Sequence, residues 1–388
     1  MATNNNNKAL NVPHLRFPEF TGEWEETTLG KIGGTFNGLT GRSGSDFGQG
    51  YPYITYKSIF DNSRVDINRV DYVTISDEER RKESQNKVLY GDVFFTTSSE
   101  TPDEVGMTSV LLDKMEDCYL NSFCFGYRLF CQENYLPEYL RFYFRSRVIR
   151  RKLSILAQGS TRFNISKKEV MRLGVKVPNS TEQRKIANFL TLLDERIATQ
   201  NKIIEKLETL IKALSHKLTT QKKPNTLLND CLVCHSSTLL ESHVKGKRQY
   251  PVFGATGICG YTDKSDISGD SILIIKDGAG VGTTTYATGK YSVIGTLNYL
   301  QSTQEHYSLL YIYYSLKTFD FRPYITGMAI PHIYFRDYGK AKIWCPDIVE
   351  QKRIATVLCT MDAKLKINQD ILRNLTLQKQ YLLSNLFI

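Results

Sequence analysis

Two long stretches of the chain carry apolar side chains at alternating steps of four and three residues. The first runs over residues 186–218 and the second over residues 354–386. This spacing keeps the apolar side chains on one face of a helix and is typical of a coiled-coil seam. Neither stretch contains Pro or Gly, and Asn179 or Asp347 can cap each start. The pattern predicts two long helices, the first about 60 Å long at ~1.5 Å per residue.

Both stretches belong to an internal repeat with a constant offset of 168 residues (350 minus 182). The sequence Glu182-Gln183-Arg184-Lys185-Ile186-Ala187 returns as Glu350-Gln351-Lys352-Arg353-Ile354-Ala355. The same offset pairs Gly159 with Gly327, without a gap up to about residue 218. We interpret the chain as a tandem duplication in which each half is a globular part followed by a long helix.

Both predicted seams are interrupted at equivalent positions, by Gln200 and by Asn368. A polar residue at a seam position often fixes register or orientation. If the helices pack antiparallel, the two amides meet and can form a hydrogen bond across the pair. The alternative is that each is a solvated surface amide.

The globular parts, residues 21–177 and 224–345, contain short aromatic and β-branched runs separated by Gly-rich turns. We predict a mixed α/β fold with two globular domains joined by two long helices that form an antiparallel coiled coil, related by a pseudo-twofold repeat. The predicted segments are residues 1–178 for the first domain, 179–222 for the first helix, 223–346 for the second domain and 347–388 for the second helix.

Charge makes a polyanion the first partner to consider. The chain of 388 residues has a formal net charge of +10. Residues 141–176 hold eleven Lys or Arg side chains against one acidic side chain, Glu169. Arg145 and Arg151 lie on a predicted helix in this stretch, and we expect them to contact phosphates. A solvated helix face is the alternative.

The sequence also gives expectations about location. The first twenty residues contain an Asn run and two prolines where a signal peptide would have an apolar core. No stretch approaches the ~18 consecutive apolar residues of a membrane span. Eight cysteines without export predict reduced thiols. We therefore expect a cytoplasmic chain without a membrane partner.

Three motifs resemble catalytic or cofactor sites, but each has a better explanation. Residues 277–282 follow a predicted strand and lack the full Gly-x-Gly-x-x-Gly pattern, which favours a turn or a DNA-facing loop over a nucleotide site. Asp347 and Glu350 resemble part of a metal-dependent nuclease motif, yet they suit helix capping. Cys231 and Cys234 form half a zinc site or a haem attachment motif, and buried thiols are favoured. We predict no catalytic, cofactor-binding or metal-binding residue in this chain.

Sequence-specific DNA readout needs hydrogen-bonding groups on elements that enter a groove. Two pairs of matched stretches qualify: residues 158–164 with 326–332, and residues 96–100 with 276–279, the latter directly after predicted strands. The DNA-binding candidates, besides the two arginines named above, are Thr97, Ser98, Ser99, Ser160, Thr161, Arg162, Asn164, Lys276, Asp277, His332 and Tyr334.

These stretches carry a family resemblance. A Gly-Asp-strand element, a Gly-Ser-Thr-x-x-Asn-Ile loop and a strand ending in Pro before a Glu-Gln-x-x-Ile-Ala helix occur twice. Together they resemble the specificity subunit of a type I restriction-modification enzyme. The opening Leu15-Arg16-Phe17-Pro18-Glu19-Phe20 with Trp24 resembles Gram-positive, staphylococcal-like members. The second loop, Gly327-Met328-Ala329-Ile330-Pro331-His332, departs from the polar pattern.

The resemblance implies a non-catalytic subunit that reads a bipartite site on double-stranded DNA, one half-site per recognition domain, and directs adenine methylation or restriction. It implies two modification subunits and restriction/translocase subunits as partners, with S-adenosylmethionine, ATP and Mg on those subunits. The helices would then act as a ruler that caps the separation at about 18 base pairs. A free-standing DNA-binding regulator and a coiled-coil scaffold are the alternatives.

Overall fold

A computed structural model describes residues 11–244 and 249–388. The first ten residues of the predicted first domain lie outside the described residues. The chain divides into two compact units. The first comprises the chain as far as Thr199 together with Arg373–Ile388, and the second is Gln200–Leu372. Within the described part of the chain, no helix is both long and apolar enough to cross a membrane.

The first unit combines short strands with short helices. Its elements are β1 (Glu25–Thr28), α1 (Leu29–Ile32), β2 (Gly33–Asn37), β3 (Phe47–Ile54), α2 (Tyr56–Asp61), β4 (Asp71–Val73), α3 (Asp77–Lys82), β5 (Val93–Thr96), β6 (Ser98–Ser99), β7 (Thr108–Val110), β8 (Tyr119–Leu120), β9 (Cys124–Leu129), α4 (Pro137–Tyr143), α5 (Arg147–Ile155), β10 (Phe163–Asn164), α6 (Lys167–Met171) and β11 (Gly174–Val177). The long helix α7 (Ser180–Thr219) follows.

The second unit contains β12 (Thr226–Leu227), α8 (Leu228–Cys231), β13 (Leu232–Ser236), β14 (Tyr250–Gly254), β15 (Gly257–Thr262), β16 (Ile267–Ser268), β17 (Ser271–Ile275), β18 (Thr284–Ala287), β19 (Lys290–Val293), β20 (Leu297–Ser302), α9 (Leu309–Lys317), α10 (Phe335–Tyr338) and β21 (Lys342–Ile343). The second long helix, α11, is Ile348–Asn385. Both predicted long helices are present. Each is shorter than its predicted segment, and the division into four segments stays a prediction.

The duplication is visible in the strand order of each unit. The first unit has a sheet in the order β2-β9-β5-β7, and the second has β13-β20-β17-β18, each with only antiparallel neighbours. A second sheet in each unit contains one parallel pair, β3 with β8 and β14 with β19. The mixed α/β fold is therefore confirmed. The four-stranded antiparallel sheet is repeated, whereas the sheet with the parallel pair has three strands in the first unit and four in the second.

Parts of the two long helices pack together within each unit. In the first unit, Leu190 near the start of α7 shares a core with Leu382 near the end of α11. In the second unit, Leu218 at the end of α7 packs against the core that contains Leu358, near the start of α11. Start lies beside end in both cases, so the helices run antiparallel. Gln200 Nε2 donates to Asn368 Oδ1 over 2.7 Å, so the hydrogen bond predicted for the matched seam positions is present. Its role in fixing the register stays a prediction.

The repeated Glu-Gln motif is explained by two buried glutamines. Gln183 accepts from the backbone N–H of Leu136 (2.9 Å) and donates to the carbonyls of Asn134 and Pro178 (2.8 Å each). Gln351 accepts from the N–H of Ser308 (2.8 Å) and donates to two carbonyls in the same way. Each side chain therefore fixes the start of a long helix to the start of α4 or α9.

The opening segment of the described chain packs on the long helices of the first unit. Arg16 makes two hydrogen bonds of 2.8 Å to the buried carboxylate of Glu182. The ring of Phe17 meets Phe189 edge-on at 5.8 Å. The N–H of Leu15 donates to the carbonyl of Asn385 (2.9 Å). The Leu-Arg-Phe-Pro-Glu-Phe sequence thus supports the helix frame in this unit.

Candidate nucleic-acid interface

Each unit presents one loop with the same backbone construction. In the first unit, residues 158 and 164 close the loop with two backbone hydrogen bonds of 2.9 and 2.8 Å. In the second, residues 326 and 332 close it with bonds of 2.9 and 2.8 Å. The pairs are separated by the sequence offset of the repeat. We call these segments loop 1 (residues 158–164) and loop 2 (residues 326–332).

A glycine at the second position permits the turn in both loops. Gly159 has φ +135°, and a Cβ there would lie 2.1 Å from the carbonyl oxygen of Arg162. Gly327 has φ +88°, and a Cβ would lie 2.3 Å from the carbonyl oxygen of Ile330. These positive φ values and close approaches exclude a side chain without rearrangement. The sequence match of Gly159 with Gly327 therefore reflects a common backbone requirement.

Each loop is fixed to the segment that follows the central strand of its sheet. The N–H of Ile165 donates to the carbonyl of Thr97, and the N–H of Ile333 donates to the carbonyl of Lys276, both over 2.9 Å. Ile165 and Ile333 are buried and anchor the loop ends in the two cores. Asp277 forms an isolated bridge with His332. The structure thus brings the two predicted stretches of each unit together.

The two loop tips present different chemistry. Ser160, Thr161, Arg162 and Asn164 are exposed in loop 1. In loop 2, the positions equivalent to Ser160 and Arg162 carry Met328 and Ile330, which are 104% and 65% exposed. The same turn therefore offers hydrogen-bonding groups in one unit and apolar side chains in the other.

Three of the DNA-binding candidates, Thr97, Ser98 and Ser99, lie in the segment that supports loop 1. Ser98 and Ser99 are buried. They pair with Asn164 and Phe163 in the β6–β10 ladder. Thr97 is half-buried and donates through its hydroxyl to the carbonyl of Phe123 (2.8 Å). The side chains of both serines are largely enclosed, although Ser99 lines the cleft described next, and their contact with DNA stays a prediction.

A cleft of about 410 Å³ opens beside Arg162 and was not anticipated from the sequence. Tyr56 and Phe60 on α2 stack there with ring centroids 5.9 Å apart. The hydroxyl of Tyr56 donates to the carbonyl of Ser98 (2.6 Å), and burial raises the pKa of that hydroxyl. Strand β3 ends at Ile54, and Thr55 then caps α2 by accepting from the N–H of Ser58. The Thr-x-x-Ser spacing was the available signal.

Aromatic and basic side chains lie next to loop 2. His332 and Tyr334 meet edge-on, with ring centroids 5.0 Å apart. The guanidinium of Arg336 lies 4.7 Å from the centre of the Tyr334 ring, a cation–π distance. Tyr334 is 44% exposed, whereas His332, Lys276 and Asp277 are half-buried. This surface combines ring faces with positive charge, which suits a polyanionic partner with aromatic bases.

The guanidinium of Arg145 is held within the first unit. Its guanidinium donates to the backbone carbonyls of Thr108, Ile59, Phe60 and Asn62 over 2.7 to 3.1 Å. Burial lowers the pKa of Arg145 to about 10. Nε and Nη2 therefore bond within the unit, and the contact of Arg145 with phosphate stays a prediction. Arg151, by contrast, is exposed on α5, and its role in phosphate contact stays a prediction.

The segment that resembled a nucleotide-binding loop has another role. The N–H of Gly278 donates to the carbonyl of Pro331 (2.9 Å), which holds this segment against loop 2. The chain then enters strand β18 at Thr284 rather than a helix. A phosphate site of the dinucleotide-binding type needs a helix start at this point. The segment is a support of loop 2.

Comparison with known proteins identifies the family. The family model described as "type I restriction modification DNA specificity domain" matches residues 21–209 and again residues 233–377. The chain belongs to the type I restriction-modification DNA specificity family. Specificity subunits recognise DNA and do not catalyse. With two specificity domains in one chain, this subunit reads a bipartite DNA site.

Individual relatives cover nearly the whole specificity subunit. The specificity subunit of type I restriction enzyme MjaX from Methanocaldococcus jannaschii is 24% identical over 398 residues, which cover 93% of this chain and 92% of that protein. The S subunit from M. genitalium has a TM-score of 0.68 at 17% identity, covering 97% of this chain and 99% of that one. A chain from a structure of an assembling type I system has a TM-score of 0.54 at 17% identity, covering 93% and 96%. At these identities the structures support the fold.

Proposed function

We propose that loop 1 and loop 2 carry the base readout, one in each half-site of the bipartite DNA site. The observation behind this proposal is that one backbone construction, with matched closing bonds and matched glycines, carries different exposed side chains in the two units. A shared frame positions the protein on a helix of constant geometry, whereas divergent tips distinguish one base sequence from another.

The two loops differ in the bases that they suit. Arg162 at the tip of loop 1 is exposed, and within the described residues it forms no ion pair. An arginine of this kind can donate to O6 and N7 of guanine, and Asn164 can pair with adenine. Exposed Arg151 on the neighbouring helix α5 can contact a phosphate, which would position the loop without specifying sequence.

The partners follow from the family. DNA and other subunits of a type I system are the coarse assignment. The finer proposal is two modification subunits, which transfer the methyl group of S-adenosylmethionine to adenine, and restriction/translocase subunits that use ATP and Mg. This complex would act on cytoplasmic DNA. A free-standing regulator or a scaffold is not favoured, because neither role accounts for two copies of the type I specificity domain in one chain.

The proposal is tested by methylome sequencing. A methylation-free host expresses this chain with its modification subunit, and a second culture expresses the modification subunit alone. The expected result is methyladenine in one bipartite motif, present only with this chain. Replacing residues 1–180 by the equivalent part of another specificity subunit should change one half of the motif. No new methylation from a soluble, associated complex would contradict the proposal.

The loops themselves need a sharper test. The variant Arg162→Ala should relax the base preference in one half-site and leave the other unchanged, at a cost of ~1–3 kcal/mol in discrimination. Arg172→Ala is the matched control, because Arg172 is exposed in the same unit outside loop 1 and already pairs with Glu169 (2.9 Å). If both variants alter the motif equally, loop 1 is not the reader.

A further inference from the structure

Two apolar side chains on loop 2 are largely exposed. Met328 is 104% exposed and Ile330 is 65% exposed, although both lie on a loop whose backbone is fixed. Single exposed apolar residues are common on protein surfaces. These two are different because they lie at the tip of loop 2, at the positions where the equivalent loop 1 carries Ser160 and Arg162.

The loop holds the backbone that carries these side chains in a defined conformation. Both closing hydrogen bonds between residues 326 and 332 are present, and Gly327 fixes the turn. The carbonyl of Pro331 accepts from the N–H of Gly278, and His332 Nδ1 lies 3.1 Å from the carbonyl oxygen of Ile330. A loop fixed in this way loses little backbone entropy when its tip is covered, which favours a specific contact.

The divergence of the two tips indicates what covers them. The backbone construction is the same in both units. A protein partner that bound both loops in the same way would therefore require similar side chains at both tips, and the side chains differ. What differs between the half-sites is base sequence. The apolar group that a base presents in the major groove is the 5-methyl group of thymine. Methionine and isoleucine side chains can pack on such methyl groups, whereas neither has a donor for a base edge and only the methionine sulfur is a weak acceptor.

We propose that Met328 and Ile330 read thymine 5-methyl groups in the half-site of the second unit. This inference rests on the proposed function of loop 2 and adds the chemistry of its target: the second half-site is selected by apolar contact with thymine, the first by hydrogen bonds. The two halves of one DNA site are thus read by different physical interactions from equivalent positions.

The test removes only the methyl groups. Duplexes carry the bipartite motif found by methylome sequencing, with thymines of one half-site replaced by deoxyuridine, which keeps every base-pairing group. Binding of the chain with its modification subunit is measured by fluorescence anisotropy. Deoxyuridine in the second half-site should weaken binding about fourfold for each methyl group contacted, as expected for ~0.8 kcal/mol per buried carbon. Deoxyuridine in the first half-site should have little effect.

A loop variant links the effect to these residues. The double variant Met328→Ser, Ile330→Arg places the side chains of loop 1 on loop 2. Both positions are exposed, so the fold should be retained. This variant should bind thymine and deoxyuridine duplexes equally. The control Val349→Ala removes another exposed apolar side chain, 75% exposed on α11, and should keep the wild-type ratio.

The outcomes separate the two levels of the argument. If no motif is methylated and no duplex is bound, the proposed function fails. If the motif is bound but deoxyuridine in the second half-site has no effect, or if the double variant keeps the wild-type ratio, the proposed function stands and thymine readout by loop 2 is overturned.

Discussion

The buried glutamine at the start of the first long helix allows a quantitative prediction. Gln183 is fully buried and satisfies three backbone groups: the N–H of Leu136 and the carbonyls of Asn134 and Pro178. Leucine has a similar size but neither a donor nor an acceptor. Gln183→Leu would leave three backbone groups without a partner, each at a cost of ~1–3 kcal/mol. At the low end, the local free energy of opening should fall by about 3 kcal/mol.

Hydrogen exchange measured by mass spectrometry is the appropriate assay. The chain has two units, so a single two-state unfolding free energy is not well defined. Peptides that cover α4 and the start of α7 should exchange more than ~100-fold faster in Gln183→Leu, because ~1.4 kcal/mol corresponds to a factor of ten. Peptides from the second unit should keep their protection.

The chain provides both a matched variant and a control. Gln351→Leu should accelerate exchange in α9 in the same way, with a smaller effect because its contact to the His306 carbonyl is long, at 3.4 Å. Gln378→Leu changes an exposed glutamine on α11 and should have no such effect. Unchanged protection of α4 in Gln183→Leu, or an equal change in the Gln378 variant, would refute the reasoning.

Three further predictions concern single side chains. Arg145→Gln should increase exchange throughout the first unit, because four carbonyls lose their donor, whereas Arg151→Gln should weaken DNA binding and lower its salt dependence without changing exchange. The opposite pattern would indicate that Arg145, and not Arg151, contacts DNA. Gly159→Ala should reduce binding at one half-site with little change in overall protection, as checked by anisotropy, since the added Cβ disturbs only loop 1. Burial raises the pKa of Cys231 to about 12, so its thiol stays protonated at pH 8 and should alkylate far more slowly than exposed Cys359, as mass spectrometry of iodoacetamide-treated protein can show. Equal labelling would contradict the buried assignment.

The sequence alone determined the frame of the molecule. Apolar residues spaced alternately four and three positions apart determined two long helices. A helix can bury one apolar stripe only if the apolar residues recur at the helical period. The ungapped repeat determined that Gln200 and Asn368 occupy equivalent positions, so an antiparallel arrangement had to bring them together. The match of Gly159 with Gly327 also had a local cause, since a positive φ is a requirement of the backbone itself.

Tertiary structure decided which side chains are available to a partner. Arg145 and Arg151 have the same charge and lie near each other in sequence, yet one is used by four carbonyls and the other is exposed. Ser98 and Ser99 have hydroxyl groups that could form hydrogen bonds with bases, but pairing of β6 with β10 leaves both serines buried. Local sequence does not specify these outcomes, because burial depends on segments many residues away.

The juxtaposition of the loop and its support was also a tertiary result. Ile333 and Lys276 are 57 residues apart in sequence (333 minus 276), and nothing in either local sequence specifies the hydrogen bond between them. The cleft lined by Tyr56 and Phe60 arises in the same way, from a helix placed beside a distant loop. The periodic, local and repeated features could be derived from the sequence, whereas the contacts between distant segments required the packed chain, because packing alone determines which segments become neighbours.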